Sequence, residues 1–375
     1  MLDSEMEGNA LTHFRENEYY GRILGNWVPN ENHHLALGAE YSYEEFGEKS
    51  PGFPNEPPRL PGPFNPLSEW NSDTISIFGE HQWTINDQFT TFLGVRSDHN
   101  DYTTDLWSKR AAIVYTPTLK DSVKLIFNHS VRRKEEVVSH NDELAGKDPS
   151  DVEKLNNYEI RYDRHHSDQL MTSLAAFYVD YDVIAWNGTQ AAIRPLGTIS
   201  FYGIELESVY QTEKYKLGLA HSYIQEYDFD SENPGQVNNI TASHLGYGDN
   251  LANWYNHQTT IYGHYRFNEK WTATSSLNVL WALPGGEDLA RYNVENGNRA
   301  SLPRQSDGFD RSWEESIFLN IGLTYRPTAR TTFRFKAHNL MGLIDEDYNK
   351  INEFQRTNHY QNQAAAASIS MRYTF

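Results

Sequence analysis

The sequence predicts an all-β fold, a transmembrane antiparallel β-barrel of the up-and-down type. Three observations support this prediction. Apolar and polar residues alternate with period two through most of the chain, which gives each segment one apolar and one polar face. The alternating segments number about fifteen and are roughly ten residues long, the length that a tilted strand needs to cross a bilayer. Tight turns and long polar connections alternate between these segments.

The composition of the chain excludes several other classes. The chain has 375 residues, a net charge of −19 and no cysteine, which excludes disulfides, thiolate metal sites and cysteine nucleophiles. Its acidic balance argues against nucleic acid as a partner. Mean hydropathy is −0.71, and no apolar run is long enough for a membrane-spanning helix. Because disordered acidic chains lack aromatic residues, the 24 Tyr, 18 Phe and 9 Trp must be buried or lie at an interface.

The predicted strands follow from the alternating runs, of which the clearest are 35–44, 123–128, 158–163, 317–326, 333–338 and 368–375. In the fourth of these runs, Ile317, Leu319 and Ile321 alternate with Phe318 and Asn320. One face of each strand is therefore suited to lipid and the other to water. Tyr and Trp cluster near the predicted strand ends, as in the two aromatic girdles of a membrane barrel.

The connections between strands fall into two classes that alternate along the chain. The predicted short turns are Pro29–Asn32, Asn86–Gln88, Thr118–Ser122, Ser167–Asp168, Thr212–Lys214, Asn268–Lys270 and Thr328–Arg330. The predicted long connections are Phe46–Asp73, Ser97–Asp105, Arg133–Lys154, Ala185–Leu196, Tyr227–Ala252, Pro284–Ser312 and Gly342–Asn362. This layout is typical of bacterial outer-membrane barrels, which have short periplasmic turns and long extracellular loops. A soluble all-β protein is the alternative, but sandwiches usually have shorter strands and Greek-key connections.

The chain ends in an alternating strand that contains Tyr373 and closes on Phe375. A terminal strand with a final Phe resembles the C-terminal assembly signal of bacterial outer-membrane proteins. The resemblance implies the barrel-assembly machinery and outer-membrane lipid as partners, and the bacterial cell outer membrane as the location. Chance is the alternative, because any β protein can end in Phe.

Several phrases, in order along the chain, resemble the barrel of TonB-dependent outer-membrane receptors. One ends in Gly-x-Arg-x-Asp, with Gly94, Arg96 and Asp98, and another contains an Asn-Tyr-Glu core. The phrases span 77–98, 107–118, 152–163, 173–184, 201–210 and 335–342. Each phrase alone is weak evidence, but their order and spacing cover almost the whole chain.

The resemblance implies the barrel of a siderophore-receptor-like protein. Such receptors have a plug domain and a barrel of about 22 strands, so residues 1–375 are expected to be one N-terminally truncated barrel domain without the plug. No secretory signal peptide is recognisable at the start of the chain. The implied function is energy-coupled uptake of a ferric siderophore or similar cargo, with a TonB-type energy-coupling protein acting through the missing plug. A passive porin or channel and a non-transporting surface barrel remain alternatives.

The sequence contains no catalytic constellation, so we expect no enzyme, and it indicates no cofactor and no metal site. Function is then expected on the lumen wall and in the outer connections. The lumen-wall candidates are Glu159, Arg161, Glu205, Glu207, Arg334 and Lys336. The cargo-binding candidates are Arg96, the basic cluster Arg132, Arg133 and Lys134, which suits an anionic ferric siderophore, and the aromatic residues Trp186, Tyr247 and Phe309. Under the plainer interpretation, the lumen-wall residues only keep a water-filled wall polar.

Overall fold

The computed structural model describes residues 15–47, 70–187, 192–232, 250, 254–282, 284–285, 295, 316–344 and 365–375. Within these ranges, fifteen antiparallel strands form one sheet, in which the order of the strands is their order in the chain. The prediction of an all-β, up-and-down fold is confirmed. The strands are β1 (Arg15–Asn30), β2 (His33–Gly47), β3 (Trp70–Asn86), β4 (Phe89–Asn100), β5 (Thr103–Thr118), β6 (Asp121–Arg133), β7 (Val152–His165), β8 (Leu170–Asn187), β9 (Ala192–Gln211), β10 (Tyr215–Ser231), β11 (His257–Arg266), β12 (Trp271–Trp281), β13 (Ser316–Thr328), β14 (Thr331–His338) and β15 (Ala366–Tyr373). Within the described ranges, the helices with defined limits are α1 (Glu136–Leu144) and α2 (Met341–Ile344).

The alternation of the sequence becomes two distinct faces of the sheet. The register places apolar residues of neighbouring strands side by side, as with Leu125 between Ile113 and Ile160. Many of these side chains are half exposed or more, including Ile23, Leu37, Ile77 and Leu93. Soluble proteins rarely expose so continuous an apolar surface, whereas lipid covers such a face in a membrane barrel.

The short turns lie where the sequence predicts them, and polar side chains close them. Asn86 Oδ1 accepts hydrogen bonds from the backbone N–H groups of Gln88 and Phe89, at 2.9 and 3.0 Å. Asn268 does the same for Lys270 and Trp271. Side chains of Asn and Thr favour such local bonds, which is why they mark turns in the sequence. We call this edge of the sheet the short-turn rim and the opposite edge the long-connection rim.

Several strands extend beyond the predicted limits, so two of the predicted long connections are wrong. The segment 97–105 contains only a two-residue turn, Asp101–Tyr102, between β4 and β5. Likewise β8 continues to Asn187 and β9 starts at Ala192, within the predicted connection 185–196. β10 also runs to Ser231, past the predicted start of its loop at Tyr227.

Polar side chains explain the extension of the strands past the apolar band. The buried Asn100 donates from Nδ2 to Ser72 Oγ at 3.0 Å and to Thr74 Oγ1 at 2.9 Å. Backbone pairing therefore continues where hydropathy alternation has stopped. The observed strands range from 8 to 20 residues, whereas the alternation predicts strands of roughly ten.

One apolar cluster lies where β8, β9 and β10 extend toward the long-connection rim. Its buried members are Val183, Leu196, Ile199 and Phe229. Beside it the β8–β9 register shifts by one residue after the Val183–Gly197 pair. Gly197 has φ +139°, in the region that favours glycine, so this residue type is what allows the shift.

The described strands form an open sheet. β1 pairs only with β2 and β15 only with β14, and within the described ranges no pairing joins β1 to β15. The side chains of β15 are all exposed, and most of those described in β1 are too. In the described part of the chain, no α-helix is both long and apolar enough to cross a bilayer.

Candidate functional site

The connection between β6 and β7, residues 134–151, carries helix α1 and folds against the strands beside it; we call it the α1 connection. Lys134 anchors its two ends. The Lys134 ammonium lies 2.7 Å from Asp142 Oδ2 and 2.9 Å from Asp151 Oδ2. Arg194 of β9 adds a two-pronged contact to Asp142, at 2.9 and 3.0 Å. Because the Lys134 side chain is only 1% exposed, these pairs lie away from solvent and are little screened.

Aromatic rings hold the other side of the α1 connection. Trp70 of β3 stacks between Phe46 of β2, at 4.0 Å between centroids, and His140 of α1, at 4.4 Å. The hydroxyl of Tyr102 lies 3.2 Å from His140 Nδ1. The helix is thus fixed to β2 and β3 by stacking and to β9 by charge.

The protonation states of this contact follow from burial. Burial raises the pKa of Tyr102 to about 12, so its hydroxyl keeps its proton and donates to His140 Nδ1. Burial also lowers the pKa of His140, against a weaker opposite effect of the nearby Glu143 carboxylate. The neutral ring then carries its proton on Nε2, which is buried and has no hydrogen-bond partner among the described residues.

We predict that mild acid loosens the α1 connection. The pKa of His140 is lower in the folded protein than in the unfolded chain, so its contribution to stability is full above about pH 6.5 and is lost as pH falls through the folded value. Hydrogen exchange of the α1 amides should therefore accelerate between about pH 7 and pH 5, after correction for the intrinsic rate. In His140→Phe, which keeps a ring on Trp70 but cannot titrate, this extra acceleration should vanish. An unchanged acceleration in that variant would assign the effect to other groups.

A cavity of about 590 Å³ lies between the α1 connection and the inner, polar face of the sheet; we call it the outer cavity. It brings together four of the predicted cargo-binding residues, Arg96, Arg132, Arg133 and Lys134. Leu106, Val131, Val138, Ile184 and Ile193 supply its apolar lining. The sequence predicted Arg132, Arg133 and Lys134 near the outer rim and Arg96 on the inward face, but it did not show that a helix covers the space between them.

The structure corrects the expectation of a free basic cluster at 132–134. Arg132 pairs with Glu153, with Nε 2.7 Å from Oε2. Arg133 contacts Glu136 and, at 3.7 Å, Glu44. Lys134 is buried between Asp142 and Asp151 as described above. Carboxylates thus neutralise all three cations, because the acidic residues of α1, β2 and β7 fold back onto them.

Arg96 is the centre of a polar network on the inner face. Its guanidinium lies 2.7 Å from Glu40 Oε2 and 2.8 Å from Asp98 Oδ1, and it donates to Ser76 Oγ at 2.8 Å. Arg22 Nε lies 3.3 Å from Glu40 Oε1, so the two arginines share one carboxylate.

The ring of Phe78 also contacts both arginines. Its centroid lies 5.1 Å from Arg22 Cζ and 5.6 Å from Arg96 Cζ. Such cation–π contacts fix the two guanidinium groups in place. Sequence reasoning missed this residue, although a Phe on the polar face of a strand was the available signal.

A second cavity, of about 840 Å³, follows the inner face of β7–β11 and includes Arg161, Glu205 and Glu207; we call it the inner cavity. Arg161 and Lys124 each bind Asp163 at 2.8 Å. Glu205 and Glu207 have no ion-pair partner within the part of the chain that the structure describes.

The other lumen-wall candidates follow the same alternation. Glu159 lies on β7, between the exposed apolar-face residues Tyr158 and Ile160. Arg334 and Lys336 occupy corresponding positions on β14, among Phe333, Phe335 and Ala337. These candidates therefore share the face opposite the apolar one.

The remaining candidates are the aromatic residues Trp186, Tyr247 and Phe309 and the C-terminal pair Tyr373 and Phe375. Tyr247 and Phe309 fall outside the described residues, and Trp186, expected in a loop, lies in strand β8. Phe375 is fully exposed beyond the end of β15, with its ring 5.1 Å from that of Tyr373. In the described ranges no group of three or more acidic or histidine side chains is placed to hold a metal ion.

An up-and-down sheet with an apolar outer face, a polar inner face and one elaborated rim defines the class of bacterial outer-membrane β-barrels. Within this class the chain belongs to the TonB-dependent receptors. The family model described as "TonB dependent receptor-like, beta-barrel" matches residues 3–340. The family consists of transport receptors of the bacterial outer membrane, and the prediction drawn from the sequence motifs is confirmed.

Solved receptor structures share the fold at low sequence identity. The siderophore receptor PirA from Acinetobacter baumannii has a TM-score of 0.66 and 12% identity over 99% of this chain and 56% of its own. A mutant of the ferric enterobactin receptor PfeA from Pseudomonas aeruginosa has a TM-score of 0.61 and 16% identity, over 88% and 48%. The FrpB iron transporter from Neisseria meningitidis has a TM-score of 0.61 and 14% identity, over 88% of this chain and 51% of its own.

The chain therefore spans about half the length of these receptors. No curated protein sequence shows significant similarity to it.

Proposed function

We propose that this chain is the barrel portion of an outer-membrane receptor for energy-coupled uptake of a ferric siderophore or a similar iron chelate. The observation that carries the proposal is the outer cavity, a polar chamber of about 590 Å³ on the inner wall at the long-connection rim. Its volume lies within the range of small-molecule sites, and its lining mixes fixed charges with apolar side chains. Membership in the receptor family and the fold shared with siderophore receptors support the assignment.

The two cavities have successive roles in the proposed uptake. Cargo from outside first meets the outer cavity, whose lining includes Arg96, Arg132 and Arg133. It then passes along the inner cavity, where Arg161, Glu205 and Glu207 keep the wall polar and hydrated. A TonB-type protein supplies energy through a plug domain that this barrel portion surrounds in the complete receptor. Tyr373 and Phe375 are the proposed signal for the barrel-assembly machinery, and lipid covers the apolar face.

A chimera tests the proposed uptake. The chain is joined downstream of the plug and first strands of PirA and expressed in a strain that lacks siderophore receptors, with the chain alone as control. We expect iron-limited growth on at least one ferric siderophore from the chimera, lost when the energy-coupling protein is deleted. We expect no growth from the chain alone, because unpaired strand edges in lipid leave backbone groups without partners.

Two results would contradict the proposal. Growth that persists without the energy-coupling protein would indicate a passive channel. A chimera that shows the heat-dependent gel shift of a folded barrel, yet supports growth on no siderophore of a broad panel, would indicate a non-transporting surface barrel.

A further inference from the structure

The charges of the outer cavity do not suit an anion. Its lining contains six carboxylates, those of Glu18, Glu40, Asp98, Glu135, Glu136 and Glu153, against the four cations Arg96, Arg132, Arg133 and Lys134. Each cation already contacts at least one carboxylate. A guanidinium held this way has little capacity left for an anionic ligand, because the ligand must displace an existing partner.

The excess negative charge of the cavity is carried by identifiable groups. Glu18 of β1 and Glu135, the residue before α1, have no ion-pair partner within the described ranges. Both side chains are exposed and line the space. They are therefore free to attract a cation.

The lining of the inner cavity also carries more negative than positive charge. Glu205 and Glu207 outnumber Arg161, which is also shared with Asp163. Inner-face cations such as Arg334, Lys336 and Arg372 lie on β14 and β15, and none of them lines either cavity. Each cavity is thus lined by more Asp and Glu than Lys and Arg, in keeping with the net charge of −19 for the chain as a whole.

From this charge arrangement we propose that the cargo is a cationic or neutral iron chelate, such as a tris-hydroxamate, and not a polyanionic tris-catecholate. This inference rests on the proposed function, because it specifies the cargo of the same cavity. Opposite charge raises the local concentration of a cationic chelate, and like charge repels a trianion as it enters. Apolar residues of the cavity, such as Val131 and Ile184, suit the aliphatic backbone of a hydroxamate chelator.

Three ferric chelates of similar size test the inference on the receptor that carries this chain. They are a tris-hydroxamate with a free ammonium group (ferrioxamine B), a neutral tris-hydroxamate (ferrichrome) and the trianionic ferric enterobactin. Binding is measured by quenching of tryptophan fluorescence at low and high salt. We expect the cation to bind about tenfold more tightly than the trianion at low salt, with a smaller difference at high salt.

Variants assign the selectivity to the cavity. Glu18→Gln with Glu135→Gln should reduce the cation-to-trianion ratio several-fold and leave the affinity of the neutral chelate unchanged. Glu269→Gln, in the exposed turn between β11 and β12 at the opposite rim, is the matched control and should change neither. Equal affinities, or tightest binding of the trianion, would overturn the charge inference and leave chelate recognition intact. Binding of none of the three would reject the proposed function and this inference with it.

Discussion

Lys134→Met should release the α1 connection from the sheet. The substitution keeps most of the aliphatic stem but removes the ammonium that Asp142 and Asp151 share. Removing one member of a buried ion pair typically costs about 3–5 kcal/mol, because the remaining charge is left unpaired. We expect the free energy of local opening of the α1 connection to fall by about 3 kcal/mol, the lower end of this range, because Arg194 still contacts Asp142. Hydrogen exchange of the α1 amides should then be roughly a hundredfold faster.

Lys120→Met is the matched control for this prediction. Lys120 is an exposed residue in the short turn between β5 and β6, and it makes no ion pair within the described part of the chain. Its replacement should leave α1 exchange unchanged. If α1 amides exchange at the same rate in Lys134→Met as in the parent protein, the aromatic stack on Trp70 alone holds the connection, and the ionic contact contributes little.

Gly197→Ala should destabilise the long-connection end of β8, β9 and β10. A Cβ at this position would collide with the backbone carbonyl oxygen of Asp230 and lie 2.9 Å from Ser231 Cα, and φ is +139°. Backbone atoms cannot move aside as a flexible side chain can, so the ladder between β9 and β10 must open locally. Overpacking and unfavourable φ together should cost about 2–4 kcal/mol. The midpoint of urea unfolding in detergent micelles should fall accordingly, with a lower yield of folded barrel.

Gly21→Ala tests whether the effect is specific to the site. Gly21 lies in β1, and a Cβ there would meet no atom within 4 Å. Its substitution should therefore be neutral or slightly stabilising, because alanine restricts the unfolded chain. Equal stability of the Gly197→Ala and Gly21→Ala variants would show that the β8–β9 register shift does not require glycine.

The fold could be predicted from the sequence because each level of evidence agreed. Alternation set the faces, Asn86 and Asn268 marked short turns, and the order of family-like phrases set the architecture. The ends of the strands could not be predicted. Alternation of hydropathy marks only the part of each strand that faces lipid. Strand pairing continues beyond it where polar side chains such as Asn100 form hydrogen bonds with their neighbours.

The candidate site was predictable only in part. The sequence predicted Arg96 on the inward face and Arg132–Lys134 near the outer rim, but several of their partners lie far away along the chain. Glu40 and Arg96 are 56 residues apart, and Asp142 and Arg194 are 52 apart. Single-sequence reasoning counts the charges but does not reveal which of them cancel. That cancellation changed the expected cargo from an anion to a neutral or cationic chelate.

The number of strands sets a direction for any closure of the open sheet. In an antiparallel sheet of fifteen strands, the first and the last run the same way, here from the long-connection rim to the short-turn rim. Direct closure of β1 onto β15 would thus be a parallel pair, with slanted hydrogen bonds and a different register rule. A barrel that stays antiparallel throughout requires an odd number of additional strands between these two edges. Any segment that closed this sheet with antiparallel pairs alone would therefore enter at one rim and leave at the other.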